Sequence, residues 1–231
     1  MKPYEYLDIA LRCHVEPDLP KRKKTRDKVP HEKLNPPLWL RPEMLLIFDC
    51  ETATDLTRTM PGFEGPEWSP YAQSLLFGTA RLYVLEQKRW RWTDEWLFYP
   101  DGLPEYGLTM LRGWVEDHVE RIGDSVFLQG TRTRFHFCPL REFLRDFYRV
   151  AYEGRALVCG FNLPYDDSRL AWNAVPAEGY FEGGFRFDLY SYVKRGKQKR
   201  DPYRPGIRIK NLGSHKASIE FTGVMPDDAS G

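Results

Sequence analysis

The feature that most constrains this chain is a short apolar segment, residues 44–48, which runs directly into two acidic residues, Asp49 and Glu51. Five apolar residues ahead of a charged stretch predict a buried central strand. Alternate residues of a strand point to the same side, so both carboxylates are expected to project together from its C-terminal end. Two such groups repel each other unless a cation lies between them, and Mg²⁺ or Mn²⁺ suits hard oxygen ligands. The motif therefore predicts metal-ligating carboxylates at a strand end.

Hydrophobic periodicity predicts a mixed α/β domain around this strand. Strands are predicted at residues 74–85, 90–99, 126–128, 156–161, 185–192, 207–212 and 217–221. Helices are predicted at residues 103–122, 139–152 and 165–173. The first three strands are expected to form an antiparallel meander, and the last two a β-hairpin. In the second helix, apolar residues recur at spacings of three and four, which predicts that this helix packs against the sheet.

A second acidic motif follows the predicted strand at residues 156–161. It consists of a turn with Asn162 and a helix start that carries Tyr165 and Asp166. The neighbouring Asp167 is the alternative candidate, and we expect it to be a solvated first-turn residue favoured by the helix dipole.

Together the two motifs resemble the DnaQ-like, or DEDD, family of 3′–5′ exonucleases, which has an RNase H-like fold. The family's first motif, D-x-E-T/S after an apolar strand, is matched by Asp49, Glu51 and Thr52. Its second motif, N-x-x-F/Y-D, is matched by Asn162 and the Tyr165-Asp166 pair. The resemblance covers roughly residues 44–175 and implies an RNase H-like mixed sheet flanked by helices. The long spacing between the motifs implies insertions within 53–70 and 86–138.

The resemblance also implies two-metal hydrolysis of phosphodiester bonds, with two Mg²⁺ or Mn²⁺ ions. By this carry-over Asp49 bridges both ions, Glu51 ligates the ion on the nucleophile side, and Asp166 ligates the other. Asn162 is expected to orient its loop or to contact the substrate, and Thr52 to contact the substrate. The implied partner is nucleic acid, with a single-stranded 3′ end as substrate.

The family also needs a fourth carboxylate, and the sequence departs from the pattern here. One near-match places Glu220 five residues after His215. That segment alternates like a hairpin, and a strand would put the two side chains on opposite faces. Asp188 is a second candidate, and the third possibility is that the missing acid lies outside this chain.

Basic residues are concentrated late in the chain, although the formal net charge is only +1. Residues 191–216 contain nine Lys or Arg and one acidic residue. Phosphate contacts from Lys and Arg dominate nucleic-acid affinity, and Tyr192 and Tyr203 flank the run and are expected to stack on unpaired bases. A run of this kind is usually a solvated loop, but beside a nuclease site we interpret it as substrate-binding. The five substrate-binding residues are Lys194, Arg195, Lys197, Lys199 and Arg200.

The domain organisation follows from composition. Residues 1–43 contain seven prolines and a basic run, and they are predicted to form an extended arm. Residues 44–222 are predicted to form the exonuclease-like domain. Residues 223–231 are predicted to form a linker-like tail. The domain is expected to belong to a larger nucleic-acid enzyme. The N-terminus has no signal-peptide pattern, no apolar run approaches the roughly 20 residues of a membrane span, and the four cysteines form no CxxC pair. A soluble cytoplasmic protein with free thiols is therefore expected.

The sequence thus favours a metal-dependent 3′–5′ exonuclease-like domain acting on DNA or RNA. The first alternative is an RNase H-like module that binds nucleic acid or a partner without cutting it. The second is a scaffold domain in which the acids are ordinary strand-end and helix-start residues.

Overall fold

The computed structural model of this chain describes residues 12–14, 42–59, 71–122, 125–213 and 216–224. Most of the predicted arm, the turn-rich part of the first predicted insertion, and the end of the predicted tail lie outside the described residues. No helix among the described residues is long and apolar enough to cross a membrane.

The described residues form a mixed α/β structure that consists mostly of sheet, with three α-helices. The strands are β1 (Arg12–His14), β2 (Met44–Thr59), β3 (Tyr71–Glu86), β4 (Arg89–Tyr99), β5 (Val119–Ile122), β6 (Ser125–Leu128), β7 (Thr131–Arg132), β8 (Arg134–Pro139), β9 (Leu157–Gly160), β10 (Asn173–Pro176), β11 (Phe185–Asp188), β12 (Ser191–Lys194), β13 (Lys197–Arg200), β14 (Ile207–Gly213) and β15 (Lys216–Phe221). The helices are α1 (Glu105–His118), α2 (Leu140–Phe147) and α3 (Leu163–Leu170), with a π-helical turn at Tyr148–Glu153 and a 3₁₀ turn at Gly179–Phe181.

The main sheet has six strands in the order β1-β9-β2-β3-β4-β8. Strands β2, β3 and β4 form the predicted antiparallel meander. Strand β9 runs parallel to β2, with Leu46 opposite Val158. Parallel strands end at the same edge of a sheet. The segments that follow β9 and the acidic end of β2 therefore meet at one edge.

Helix α2 packs against the main sheet through the predicted apolar stripe, which buries Phe143, Leu144 and Phe147. The ring of Phe143 stacks on that of Phe98, with centroids 3.9 Å apart. A side chain at Gly78 would lie 2.2 Å from the Phe98 ring, so only glycine leaves room for this ring. The stripe at helical spacing thus supplies one wall of the core.

Four strands form a second, antiparallel sheet in the order β10-β11-β14-β15, which contains the predicted hairpin as β14 and β15. The ring of Phe221 on β15 contacts the rings of Phe147 and Tyr152, with centroids 6.2 Å and 5.4 Å away. It also meets buried His14 of β1, 5.3 Å away. Burial lowers the pKa of His14 to about 4, so the ring is neutral in the core. The two sheets therefore share one hydrophobic core.

Several predicted features differ from the structure, and the strand predicted at 185–192 is divided between β11 and β12, which belong to different sheets. Helix α1 ends at His118 rather than at residue 122, because the residues that follow form strand β5. Since α1 buries none of its own side chains, no core packing favours a longer helix. The region 86–138, where insertions were predicted, contributes β4 and β8 to the main sheet. Helix α3 begins and ends earlier than predicted, since Ala171 is extended and leads into β10.

Candidate metal centre

The side chains of Asp49 and Glu51 are both exposed on β2, whereas Phe48 and Cys50, which alternate with them, are buried. This alternation is the ordinary period of a strand. It places the two carboxylates on one face, as predicted. The pairing register with β3 shifts between Glu51 and Thr52, which marks an irregularity at the end of the motif.

Asp166 reaches this strand from the first turn of α3, and its side chain is only 2% exposed. The backbone N–H of Cys50 donates a hydrogen bond to Oδ1 of Asp166 over 3.3 Å. The other carboxylate oxygen, Oδ2, is buried and has no hydrogen-bond partner. A carboxylate 116 positions further along the chain is thus held against the residue that separates Asp49 from Glu51.

The electrostatics of Asp166 reflect this crowding. Burial raises the pKa of its carboxyl to about 7, and the negative charge of Asp49 contributes to the rise, while hydrogen bonds from backbone N–H groups oppose it. Glu51 adds a smaller repulsion. A carboxylate in such surroundings is stabilised either by a proton or by a bound cation.

The three carboxylates fit a divalent cation in ligand type and charge, and the unpartnered Oδ2 of Asp166 is a free ligand atom. They do not, however, form a ready-made ligand cluster. Among the described residues, no group of three or more His, Cys, Asp or Glu side chains is close enough to hold a metal ion. Ion binding at this edge therefore requires the side chains to turn towards one point.

Asp167 does not behave as expected. We predicted a solvated residue, but its side chain is fully buried, and neither carboxylate oxygen has a hydrogen-bond partner. Burial raises its pKa well above the usual value, and the neighbouring Asp166 raises it further. The helix turns this side chain into the core, a direction that the preference for acids in a first turn does not reveal.

Thr52 links the first motif to the second, and Asn162 begins the helix that carries the second. Tyr165 donates its hydroxyl proton to Oε1 of Gln73 over 2.6 Å, so the 2.7 Å contact between Thr52 and Tyr165 has the threonine hydroxyl as donor. The backbone carbonyl of Asn162 accepts bonds from the N–H groups of Tyr165 and Asp166. Thr52, predicted to contact the substrate, links β2 to α3, and the side chain of Asn162, predicted to orient its loop or to contact the substrate, is exposed.

Both candidates for a fourth carboxylate form ion pairs with arginines. Asp188 is 1% exposed. It accepts a 2.9 Å bond from Asn173 and a 3.0 Å bond from Arg186. Glu220 lies on β15 and pairs with Arg208, while His215 lies outside the described residues. Both ion pairs lie within the second sheet.

The predicted basic loop is a β-hairpin, formed by β12 and β13 around a turn at Arg195 and Gly196. Both turn residues have positive φ, 54° and 72°, as a tight hairpin turn requires. Cross-strand pairing puts four exposed side chains on one face, which we call the lysine face: Tyr192, Lys194, Lys197 and Lys199.

Arg200 does not belong to this face. Its guanidinium lies 3.4 Å from the carboxylate of Asp188 and donates a 2.8 Å bond to the hydroxyl of Thr222. Arg200 was predicted to contact the substrate, and the alternation of the strand turns its side chain towards the second sheet. Position along the basic run gives no sign of this difference.

Comparisons with protein-family models, curated proteins and solved structures found no match for this chain. Function is therefore inferred from the geometry of the site.

Proposed function

We propose that this chain is a metal-dependent 3′–5′ exonuclease-like domain with an RNase H-like fold, resembling the DnaQ-like family, and part of a larger nucleic-acid enzyme. One observation carries the proposal: the parallel register of β2 and β9 brings Asp166, with a buried unpartnered oxygen, to the strand end that bears Asp49 and Glu51. Three acids that converge from distant parts of the chain raise the electrostatic energy of the fold, which a bound cation would offset.

In this proposal Asp49, Glu51 and Asp166 hold two Mg²⁺ or Mn²⁺ ions. The ions supply an activated water and stabilise the leaving 3′ oxygen when bound. Asp49 and Glu51 present their oxygens from the exposed face of β2, and Asp166 completes the set from α3. The hydrogen bond between Thr52 and Tyr165 links strand and helix, so it holds the three carboxylates at one edge of the sheet.

The substrate is proposed to be DNA or RNA with a single-stranded 3′ end. The lysine face supports a polyanionic ligand, because it carries three exposed lysines beside an exposed tyrosine. Between residues 191 and 200 the chain has no acidic residue to oppose them. Contacts of this kind supply sequence-independent affinity that weakens with salt.

A second candidate function is a module that binds nucleic acid or a partner without cutting it. The state of the two candidates for a fourth carboxylate favours this function, because Asp188 and Glu220 both pair with arginines. The described residues also contain no preformed group of metal ligands. In this case the lysine face acts alone and the three carboxylates bind no metal ion.

Degradation of labelled oligonucleotides tests the two functions against each other. The purified chain is incubated with 5′-labelled single-stranded DNA and RNA in Mg²⁺ or Mn²⁺, beside the isosteric variants Asp49→Asn and Asp166→Asn. Asp117→Asn, an exposed acid on α1, is the matched control. The nuclease predicts laddering from the 3′ end that both site variants abolish and the control retains.

Binding of the same oligonucleotides without degradation, in the chain and in a longer protein that contains it, supports the module. Degradation that survives both site variants contradicts the proposed metal centre, since the activity would then arise elsewhere.

A further inference from the structure

A small pocket of about 210 Å³ lies on the outer face of the second sheet. Three arginines line it from three different strands: Arg186 on β11, Arg200 on β13 and Arg208 on β14. In β11 and β14 these residues alternate with Phe187 and Ile207, which are buried in the core, so the guanidinium groups lie on the opposite face. Among the described residues that line the pocket, none belongs to the candidate metal centre.

The second sheet places like charges opposite each other at this pocket. Arg186 and Arg208 are direct partners in the antiparallel pairing of β11 and β14. Like charges in that position destabilise a sheet, and Arg200 brings a third cation to the same pocket from β13. The three side chains are 32%, 33% and 30% exposed, so solvent screens their repulsion only in part. An anion in the pocket would offset this repulsion.

Two acids orient the arginines without using all of their hydrogen-bond donors. Asp188 accepts a 3.0 Å bond from Arg186, and Glu220 pairs with Arg208. The Nε atoms of Arg200 and Arg208 are buried and have no hydrogen-bond partner among the described residues. A guanidinium carries five N–H donors, and a buried donor without an acceptor costs free energy. The pocket therefore has donors that an oxyanion can satisfy.

A threonine adds a neutral donor to the same pocket. The hydroxyl oxygen of Thr222 accepts 2.8 Å bonds from the Arg200 guanidinium and from the backbone N–H of Gly206. Its own proton is therefore available to a further acceptor. The one acidic residue that lines the pocket, Glu178, is exposed.

The size and lining of the pocket favour a compact ligand. Its volume is below the roughly 300–1,000 Å³ typical of sites for drug-sized molecules. None of the described residues that line it is aromatic, so it offers no ring on which a nucleobase could stack. Guanidinium groups bind the oxygens of phosphate in pairs, which gives both affinity and geometric selectivity.

We propose that this pocket binds a phosphate group, either inorganic phosphate or the phosphate of a small monoester, through Arg186, Arg200 and Arg208. The proposal is independent of the proposed nuclease, because it involves neither the carboxylates nor a metal ion. Since Arg200 belongs to the hairpin that carries the lysine face, the bound phosphate would also tie this hairpin to the second sheet.

Isothermal titration calorimetry in EDTA tests the proposal with inorganic phosphate, glycerol phosphate and acetate at constant ionic strength. EDTA prevents phosphate from binding through a metal ion. The main variant is Arg208→Gln, because its partner Glu220 is 42% exposed and is not left as a buried charge. Arg208→Lys is the conservative variant. Arg112→Gln is the matched control, since Arg112 also pairs with a glutamate, Glu105, but lies on α1.

The wild type is expected to bind phosphate at one saturable site. Arg208→Gln should weaken binding on the order of tenfold to a hundredfold, the loss of one hydrogen bond between charged partners. Arg208→Lys should bind with intermediate affinity, because it keeps the charge without the planar fork. The control should bind like the wild type. The proposal is overturned if phosphate shows no saturable binding, if Arg208→Gln binds like the wild type, or if Arg112→Gln loses as much affinity.

A second variant decides the question if circular dichroism shows that Arg208→Gln is unfolded. Glu178→Gln leaves all three arginines in place and removes the exposed negative charge from the pocket. It should tighten phosphate binding roughly twofold to fivefold, in line with the size of an exposed charge interaction. Unchanged affinity in this variant would show that phosphate binds elsewhere.

The three ligands distinguish the sources of the phosphate group. Tighter binding of inorganic phosphate assigns the pocket to the free ion, and tighter binding of glycerol phosphate assigns it to a phosphorylated small molecule. Acetate bound more tightly than either would overturn the proposal, since the pocket would then be a carboxylate site.

Discussion

Replacing Asp166 by asparagine is expected to stabilise the fold above neutral pH. The carboxyl is 2% exposed and lies beside Asp49, and both its burial and that neighbouring charge raise its pKa from the usual 3.8 to about 7. Asparagine keeps the shape and the oxygen that accepts the Cys50 N–H bond, but it carries no charge. The change therefore removes the electrostatic cost and little else.

The direction of this pH dependence follows from the linkage between proton binding and folding. A folded-state pKa above the unfolded value means that the folded protein binds the proton more tightly, so protonation favours folding at low pH. This contribution is complete below about pH 4 and is lost as the pH rises to about 7. At roughly 1.36 kcal/mol per unit, the full shift corresponds to an upper bound of ~4 kcal/mol. Solvent screens the exposed carboxylate of Asp49, so we expect about 2 kcal/mol in favour of the variant at pH 8.

Urea unfolding at pH 4, 6 and 8 in EDTA measures the difference in the free energy of unfolding between wild type and Asp166→Asn. The difference is expected to be near zero at pH 4, intermediate at pH 6 and largest at pH 8. Asp117→Asn on the surface should show no such trend. A variant that is less stable than the wild type at pH 8, or a difference that does not change with pH, refutes this account of the buried carboxyl.

Further expected outcomes concern the metal, the hairpin and the packing. Mg²⁺ at ten times its Kd should raise the free energy of unfolding of the wild type at pH 8 by about 1.4 kcal/mol. It should raise that of Asp166→Asn by less. Urea unfolding with and without the ion measures both values. Replacing the three lysines of the lysine face by glutamine should lower the slope of log affinity against log salt by up to ~0.7 for each phosphate that is no longer neutralised, whereas Gln198→Ala on the opposite face should leave the slope unchanged. Arg200→Ala should lower the free energy of unfolding by about 2 kcal/mol. This is less than the roughly 3–5 kcal/mol of a fully broken buried pair, because Arg186 still contacts Asp188. If urea unfolding shows unchanged stability, the ion pair does not hold Arg200 and substrate binding is its better assignment. Gly78→Ala should lower the free energy of unfolding by about 1–3 kcal/mol, as overpacking does, because the added Cβ would meet the Phe98 ring. A melting temperature unchanged from the wild type would contradict this packing.

Several features were predictable because they depend on residues that are close in sequence. The exposure of Asp49 and Glu51 follows from the period of a strand, and the buried stripe of α2 from that of a helix. The hairpin at 207–221 was indicated by alternation around a glycine. In each case one element's own periodicity already separates its buried side from its exposed side.

Other features depend on neighbours that are far apart in sequence. Strand β8 is short, and its place in the sheet is decided by parallel pairing with β4. Arg200 and Lys199 are adjacent residues of like charge, yet one pairs with Asp188 and the other faces solvent. The composition of a hairpin does not determine which of its sides meets the rest of the molecule.

The acidic site depends both on residues close in sequence and on contacts between distant segments. The sequence alone determined that Asp49 and Glu51 share one face of a strand and that Asp166 begins a helix after another strand. Only the tertiary structure decided that these strands are parallel neighbours, that Cys50 donates to the Asp166 carboxylate, and that Asp167 is enclosed in the core. Local periodicity fixes the direction of a side chain relative to its own element, whereas its charge state and partners depend on what other elements pack against it.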